Sequence, residues 1–169
     1  ANDYTLSVIK VAEQDKSIQE IVAYYNTLPE IEYAEPNYTV YAYADVNDPY
    51  YQYQWNFDQL NMPAVWDTVT GSNTVTVAIV DTGIANNISD LGGTSFTGGK
   101  DFVNGDDDPY DDNGHGTHIA GTIAQTTNNG EGVAGMAHGV TLMAVKVLGQ
   151  DGTGTVSAIA NGIRWATDN

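Results

Sequence analysis

The chain has 169 residues, 41% of them apolar, with 22 acidic against 5 basic side chains and a net charge of −17. A field of that sign repels nucleic acid and anionic membranes, and no window reaches the eighteen or so consecutive apolar residues of a membrane span, so neither is expected as a partner. Cysteine is absent, which removes disulfides and thiolate chemistry, while the acidity either serves bound cations or keeps the chain soluble in salty surroundings.

Residues 1–43 read as a small α+β unit. The β-branched stretch Tyr4-Thr5-Leu6-Ser7-Val8-Ile9-Lys10-Val11 predicts a strand. Ser17 and Glu20 have capping-box spacing and open a helix with Ile18, Ile21, Val22, Tyr25 and Leu28 at helical intervals, ended by Pro29. A second strand is expected over 38–43. So small a unit has too little core to stand comfortably alone. The chain opens on Ala1 without a basic-then-apolar leader, as expected if a targeting segment is absent or already removed. Residues 44–54 show no period and read as a linker or extended arm. Asn61 and Pro63 mark a helix start, as N-cap and first turn.

The run Val75 to Val80 is nearly continuous in apolar character, as in a strand buried on both faces of a parallel sheet. It stops at Asp81-Thr82-Gly83. Residues 85–114 are a loop rich in Gly, Asn and Asp, with one strand-like piece at Asp101-Phe102-Val103. A helix is expected from His115 to about Gln125, a second buried strand over 140–148, and a glycine loop from Gly149 to Gly154. Val156, Ile159, Ala160 and Ile163 give a last helix. Strand, helix, strand, helix at these lengths predicts an α/β fold with helices packed on a parallel sheet.

Asp81 ends a strand at the place where open parallel sheets put their ligand crevices. Taken alone it is as readily a structural acid closing the Thr82-Gly83 turn. His115 stands between Gly114 and Gly116, glycines that leave room for another chain to approach. Taken together, Asp81-Thr82-Gly83 and His115-Gly116-Thr117-His118-Ile119-Ala120-Gly121, in this order, resemble the subtilisin-like serine proteases. Asn47-Asp48-Pro49-Tyr50, Asp101-Phe102-Val103, Thr127-Asn128-Asn129-Gly130, Val133-Ala134-Gly135 and Leu148-Gly149-Gln150-Asp151-Gly152-Thr153-Gly154 are similar to the thermitase-like branch of that family. The resemblance covers about 48–169. Upstream, Glu32-Tyr33-Ala34-Glu35-Pro36-Asn37-Tyr38 is similar to the back half of a subtilase propeptide.

The resemblance implies an incomplete, N-terminal half of a subtilisin-like catalytic domain at 45–169, preceded by a propeptide remnant at 1–44. It implies that Asp81 orients His115, that His115 is the general base, and that His118 is a core residue of the helix. The nucleophilic serine of the family lies well downstream of these motifs, so the chain is expected to carry the acid and base only. Ser95, in Gly93-Thr94-Ser95, precedes the histidine and is followed by Phe96-Thr97, the wrong context for that serine. Gly152, Thr153 and Gly154 would form an edge strand that pairs with a substrate backbone. The propeptide strand 38–43 would lie along the cleft and be cut within 42–46. The implied partners are polypeptide substrates, the protein's own propeptide and the missing C-terminal half of the catalytic domain, in a secreted, extracellular protein. An inactive calcium-binding fragment or pseudoenzyme is the alternative.

Calcium is the implied cofactor. The acids Asp101, Asp106, Asp107, Asp108, Asp111 and Asp112 crowd one loop, which is costly to fold unless a hard cation neutralises it. The spacing is not that of an EF-hand, since Pro109 and Tyr110 fall where ligands belong. By resemblance Asp101, Asp106 and Asp108 are ligands, with Asn104 where the branch has an acid. A second site would take side-chain oxygens of Asp48, Asp90 and Asn129 and the carbonyls of Thr126, Glu131 and Val133. A solvated loop and a plain turn at Asn128-Asn129-Gly130 are the plainer alternatives. His115 and His118, three apart, also admit a zinc reading, although no Glu stands between them.

Overall fold

A computed structural model describes residues 7–11, 16–37 and 46–169 of the chain, which divides into two units, Ala1–Ala42 and Tyr43–Asn169. In the first unit the capping box forms as its spacing predicts. The Glu20 amide donates to the Ser17 hydroxyl, and the Ser17 amide donates back to the Glu20 carboxylate at 2.8 Å. Helix α1 (Ile18–Tyr25) then stops short of Leu28 and Pro29. Asn26 ends it instead: its side chain accepts from the Ala34 amide at 2.7 Å and donates to the Ala34 carbonyl at 3.0 Å, so the chain doubles back there. Of the expected first strand, residues 7–11 have no regular structure and 4–6 lie outside the described residues, as does the expected strand 38–43.

The second unit is built on a four-stranded parallel sheet. Strand β4 (Thr141–Lys146) is central, with β1 (Thr76–Asp81) along one edge and the two-residue strands β2 (Ser95–Phe96) and β3 (Lys100–Asp101) along the other. The register sets Asp81 and Asp101 on either side of Lys146, at the C-terminal end of the sheet. Helices α4 (His115–Ala124) and α5 (Val156–Asp168) both pack against β1 and β4.

Side-chain alternation divides the core into two layers. Ile79, Leu142 and Ala144 pack with Ala120 and Ala124 of α4. Met143, Val145 and Val147 pack with Ala158, Ile159, Trp165 and Ala166 of α5. Strand β4, paired on both edges, is buried along its whole length. Strand β1 is not, contrary to its apolar sequence. Only Ile79 is fully buried, because among the described residues β1 is paired on one edge alone. Helix α5 also turns differently from its spacing: Val156 and Ile163 are exposed while Gly162 faces the sheet.

The arm before the sheet is ordered rather than periodless. A 3-10 turn (Tyr51–Tyr53), α2 (Trp55–Gln59) and α3 (Met62–Trp66) surround a third cluster made by Phe57, Met62 and Ala134. Gln54 pairs with Ala134 like a strand neighbour, accepting from its amide and donating to its carbonyl, both at 2.8 Å. Asn61 does precede α3, but it caps with no side-chain bond. It takes a left-handed backbone, φ 52°, a conformation asparagine tolerates better than most residues.

Candidate active site

The C-terminal end of β1 delivers Asp81 into the turn Thr82-Gly83, and the first turn of α4 is laid directly on that turn. The buried Thr82 hydroxyl accepts from the Gly116 amide at 2.9 Å. A Cβ on Gly116 would run into the Gly83 carbonyl oxygen. The glycine after His115 therefore lets the helix start touch the strand end, which is a different role from the room for substrate that the sequence suggested.

That contact sets the pair. His115 Nδ1 lies 2.8 Å from Asp81 Oδ1, and the same oxygen accepts from the Thr82 amide at 2.7 Å. The Asp81 side chain is 16% exposed and the His115 side chain 63% exposed. The carboxylate is thus fixed from below while the far ring nitrogen, Nε2, faces outward with no hydrogen bond from any described residue. In the neutral ring, a carboxylate on Nδ1 favours the tautomer with its proton there, which leaves Nε2 as the acceptor.

Three residues to which the sequence gave no role at this pair lie around it. Asp111 substitutes for a capping side chain at Gly114. Its Oδ1 accepts from the amides of Asn113 and Gly114 at 3.0 and 2.8 Å, and its Oδ2 from the amide and hydroxyl of Thr117 at 2.9 and 2.5 Å. Burial pushes the Asp111 carboxyl up. The Thr117 hydroxyl and the amides of Gly114, Asn113 and Thr117 outweigh burial and hold it far below the usual carboxylate range. Asn113 accepts from the His115 amide at 3.2 Å and donates to the Gln150 carbonyl at 2.8 Å, joining the base to the following glycine loop. Lys146 reaches up from the sheet beneath. In sequence, Asp111 is one of six acids in a run and Lys146 one polar residue in an apolar strand, so no local signal separates them.

Ser95 lies toward the other end of the sheet from the pair. Ser95 pairs with Thr141 and Asp81 with Lys146, on opposite sides of β4, an offset of five strand residues, or about 16 Å along the strand direction alone. The profile of the Subtilase family matches residues 72–169. The chain belongs to the subtilase family.

Among subtilases, the thermophilic serine proteinase of Bacillus sp. (strain AK1) is 42% identical over 96% of this chain and 40% of its own length. Thermitase of Thermoactinomyces vulgaris is 46% identical over 72% of this chain and 43% of its own. A solved protease from Pseudoalteromonas arctica superposes with a TM-score of 0.63 at 37% identity, covering 73% of this chain and 44% of the other. The chain thus spans about two fifths of the length of these three relatives.

Elsewhere in this subtilase fold, the expected edge strand at Gly152, Thr153 and Gly154 is a closed turn. Gly149 donates to the Thr153 carbonyl and Asp151 accepts from the Thr153 amide, both at 2.9 Å, so Thr153 is bonded within the loop. His118 is exposed rather than a core residue, since α4 meets the sheet through Gly116, Ala120, Gly121 and Ala124. Nothing in the geometry singles out zinc: among the described residues no group of three His, Cys, Asp or Glu side chains that could hold a metal includes His115 and His118.

Three of the expected calcium ligands, Asp101, Asp48 and Asp90, are deeply buried acids, Asp101 at 1% exposure. Asp48 is 3% exposed and Asp90 5%. Both face the 125–133 loop. Asp48 accepts from the amides of Asn128 and Asn129 at 2.9 and 3.1 Å. Asp90 accepts from the Asn129 side-chain amide at 2.8 Å, from the Val133 amide at 3.1 Å and from the Gln125 side-chain amide. Among the described residues neither has a cationic partner. In the other acidic loop, Asp101 accepts from the amides of Val103 and Asn104 and from the Asn104 side chain, Asp106 accepts from the Asp108 amide, and Asp107 pairs with Lys100 at 2.5 Å. Among the described residues no three His, Cys, Asp or Glu side chains converge on one point.

Proposed function

We propose that this chain supplies the acid and the base of a serine endopeptidase whose nucleophile comes from a further part of the protein. The observation that carries the reading is the 2.8 Å contact between Asp81 Oδ1 and His115 Nδ1, with Nε2 turned outward. In that reading a serine hydroxyl gives its proton to His115 Nε2 as its oxygen attacks the scissile carbonyl carbon. Asp81 stabilises the imidazolium, which then protonates the departing amine. Water, deprotonated by the same nitrogen, frees the acyl group. The substrate class is polypeptide, laid along Gly152, Thr153 and Gly154 once their turn opens to pair with it.

The outer edge of β1, without a strand partner among the described residues, and the exposed Val75, Val156 and Ile163 support the docking of a further part of the catalytic domain. Residues 1–44 are read as a propeptide remnant, supported by the motif ending at Tyr38 and by the separate unit Ala1–Ala42.

Calcium is proposed between the arm and the 126–133 loop. Two buried carboxylates without a cationic side chain call for a hard cation, and oxygen donors are at hand in Asp48, Asp90 and the Asn129 amide. The carbonyls of Thr126, Glu131 and Val133 accept no hydrogen bond from the described residues, which leaves them available as ligands. The set Asp101, Asp106 and Asp108 is the weaker proposal, since Asp106 and Asp108 are exposed to solvent and Asn104 stands where the branch has an acid. A calcium-stabilised protease of this kind is placed outside the cell, where calcium is plentiful.

In the protein completed by its downstream part, Asp81→Asn is expected to lower kcat/KM for a peptide substrate by about 10⁴-fold. Unchanged turnover in that variant would remove the pair from the mechanism, and no turnover in the completed wild-type protein would favour an inactive, calcium-binding role.

A further inference from the structure

Lys146 ends β4 with Asp81 of β1 on one side and Asp101 of β3 on the other. Its ammonium bonds to neither carboxylate. Nζ donates to the Thr82 carbonyl at 2.6 Å, to Asp112 Oδ1 at 2.6 Å and to the Leu148 carbonyl at 3.1 Å. The side chain is 1% exposed, so all three N–H groups are spent inside the protein. An ammonium is a poor choice for core packing alone, because taking it out of water costs more than burying an apolar side chain of the same volume. Its partners suggest another use. Thr82 directly follows Asp81, and Asp112 stands three residues before His115. One buried cation therefore ties the turn that carries the acid to the loop that carries the base.

We propose that Lys146, anchored by Asp112, is a positioning residue that holds Asp81 and His115 at hydrogen-bonding distance. It touches neither and acts through the two backbones, in the way that a catalytic geometry depends on the groups behind it. The inference rests on Asp81 and His115 being the acid–base pair.

The test follows the low-field proton resonance of His115 Nδ1–H in the 169-residue chain, together with its exchange with solvent. Asp81→Asn should abolish it; survival of the resonance there would overturn the pair itself, and the proposal with it. Lys146→Met should lose the resonance or exchange at least tenfold faster. Asp112 is 44% exposed; Asp112→Ala, compared only where its remaining amide spectrum stays dispersed as in the wild type, should show the same loss, and Asp112→Glu, which can still reach Nζ, should restore it. Should Lys146→Met fail to fold, the two Asp112 variants decide. A resonance unchanged in Asp112→Ala, whatever the change in unfolding midpoint, overturns the proposal and leaves Lys146 a merely structural residue.

Discussion

Asp111 touches neither Asp81 nor the ring of His115, yet it accepts four hydrogen bonds from the residues that open α4. Its removal leaves three amides and a hydroxyl at the helix start without their acceptor, so Asp111→Ala should lower stability by about 2–4 kcal/mol in urea unfolding at pH 7. The pH dependence has a definite sign. The native carboxyl is held below its unfolded value, so its contribution is complete above about pH 5 and is lost as pH falls toward the depressed native value. Between pH 5 and 3 the wild-type midpoint should therefore fall faster than that of Asp111→Ala; parallel curves would show that the four bonds do not select the charged form. At this scale Asp81 and His115 were legible only as a pair, through the Asp81-Thr82-Gly83 and His115-Gly116-Thr117-His118 motifs that carry the resemblance to subtilases. Asp111, Asn113 and Lys146 were not, because their roles are set by bonds to other segments.

The seat of α4 on β1 is an element-scale property and depends on the absence of a side chain at one position. Gly116→Ala forces a methyl against the Gly83 carbonyl, which is backbone and cannot turn aside. A loss of about 1–3 kcal/mol is expected in urea unfolding, with a weakened His115 resonance; an unperturbed variant would mean that helix and turn are not in contact. The arm and the 125–133 loop meet through Asp48 and Asn128 and through Gln54 and Ala134, and calcium is expected to lock that joint. Saturating calcium at a hundredfold over Kd should add about 2.7 kcal/mol, read as a rise in Tm. Asp90→Asn should remove that rise, and an equal rise in the variant would place calcium elsewhere. The sequence announced α4 and β4, whose periods are long. Strands β2 and β3 were missed or displaced, because two-residue ladders are fixed by the neighbouring β4 rather than by their own residues. The order of the arm escaped for the same reason, its partners lying some eighty residues away.

Across the whole molecule, the parallel sheet follows from the alternation of apolar runs and helices. The exposure of β1 does not, since a run such as Thr76–Asp81 reads as buried whether or not a strand is present at its other edge. The chain spans about two fifths of the thermophilic serine proteinase and of thermitase, and the acid and base stand at an edge that a further strand can join. The central claim, that the chain holds the acid and base but not the nucleophile, is tested most directly by a fluorophosphonate probe that reacts with activated serines. The chain alone should take no label. Mixed with the downstream part of the protein, label should appear on that part and vanish with His115→Ala. Labelling of this chain, at Ser95 or any other serine, would contradict the account.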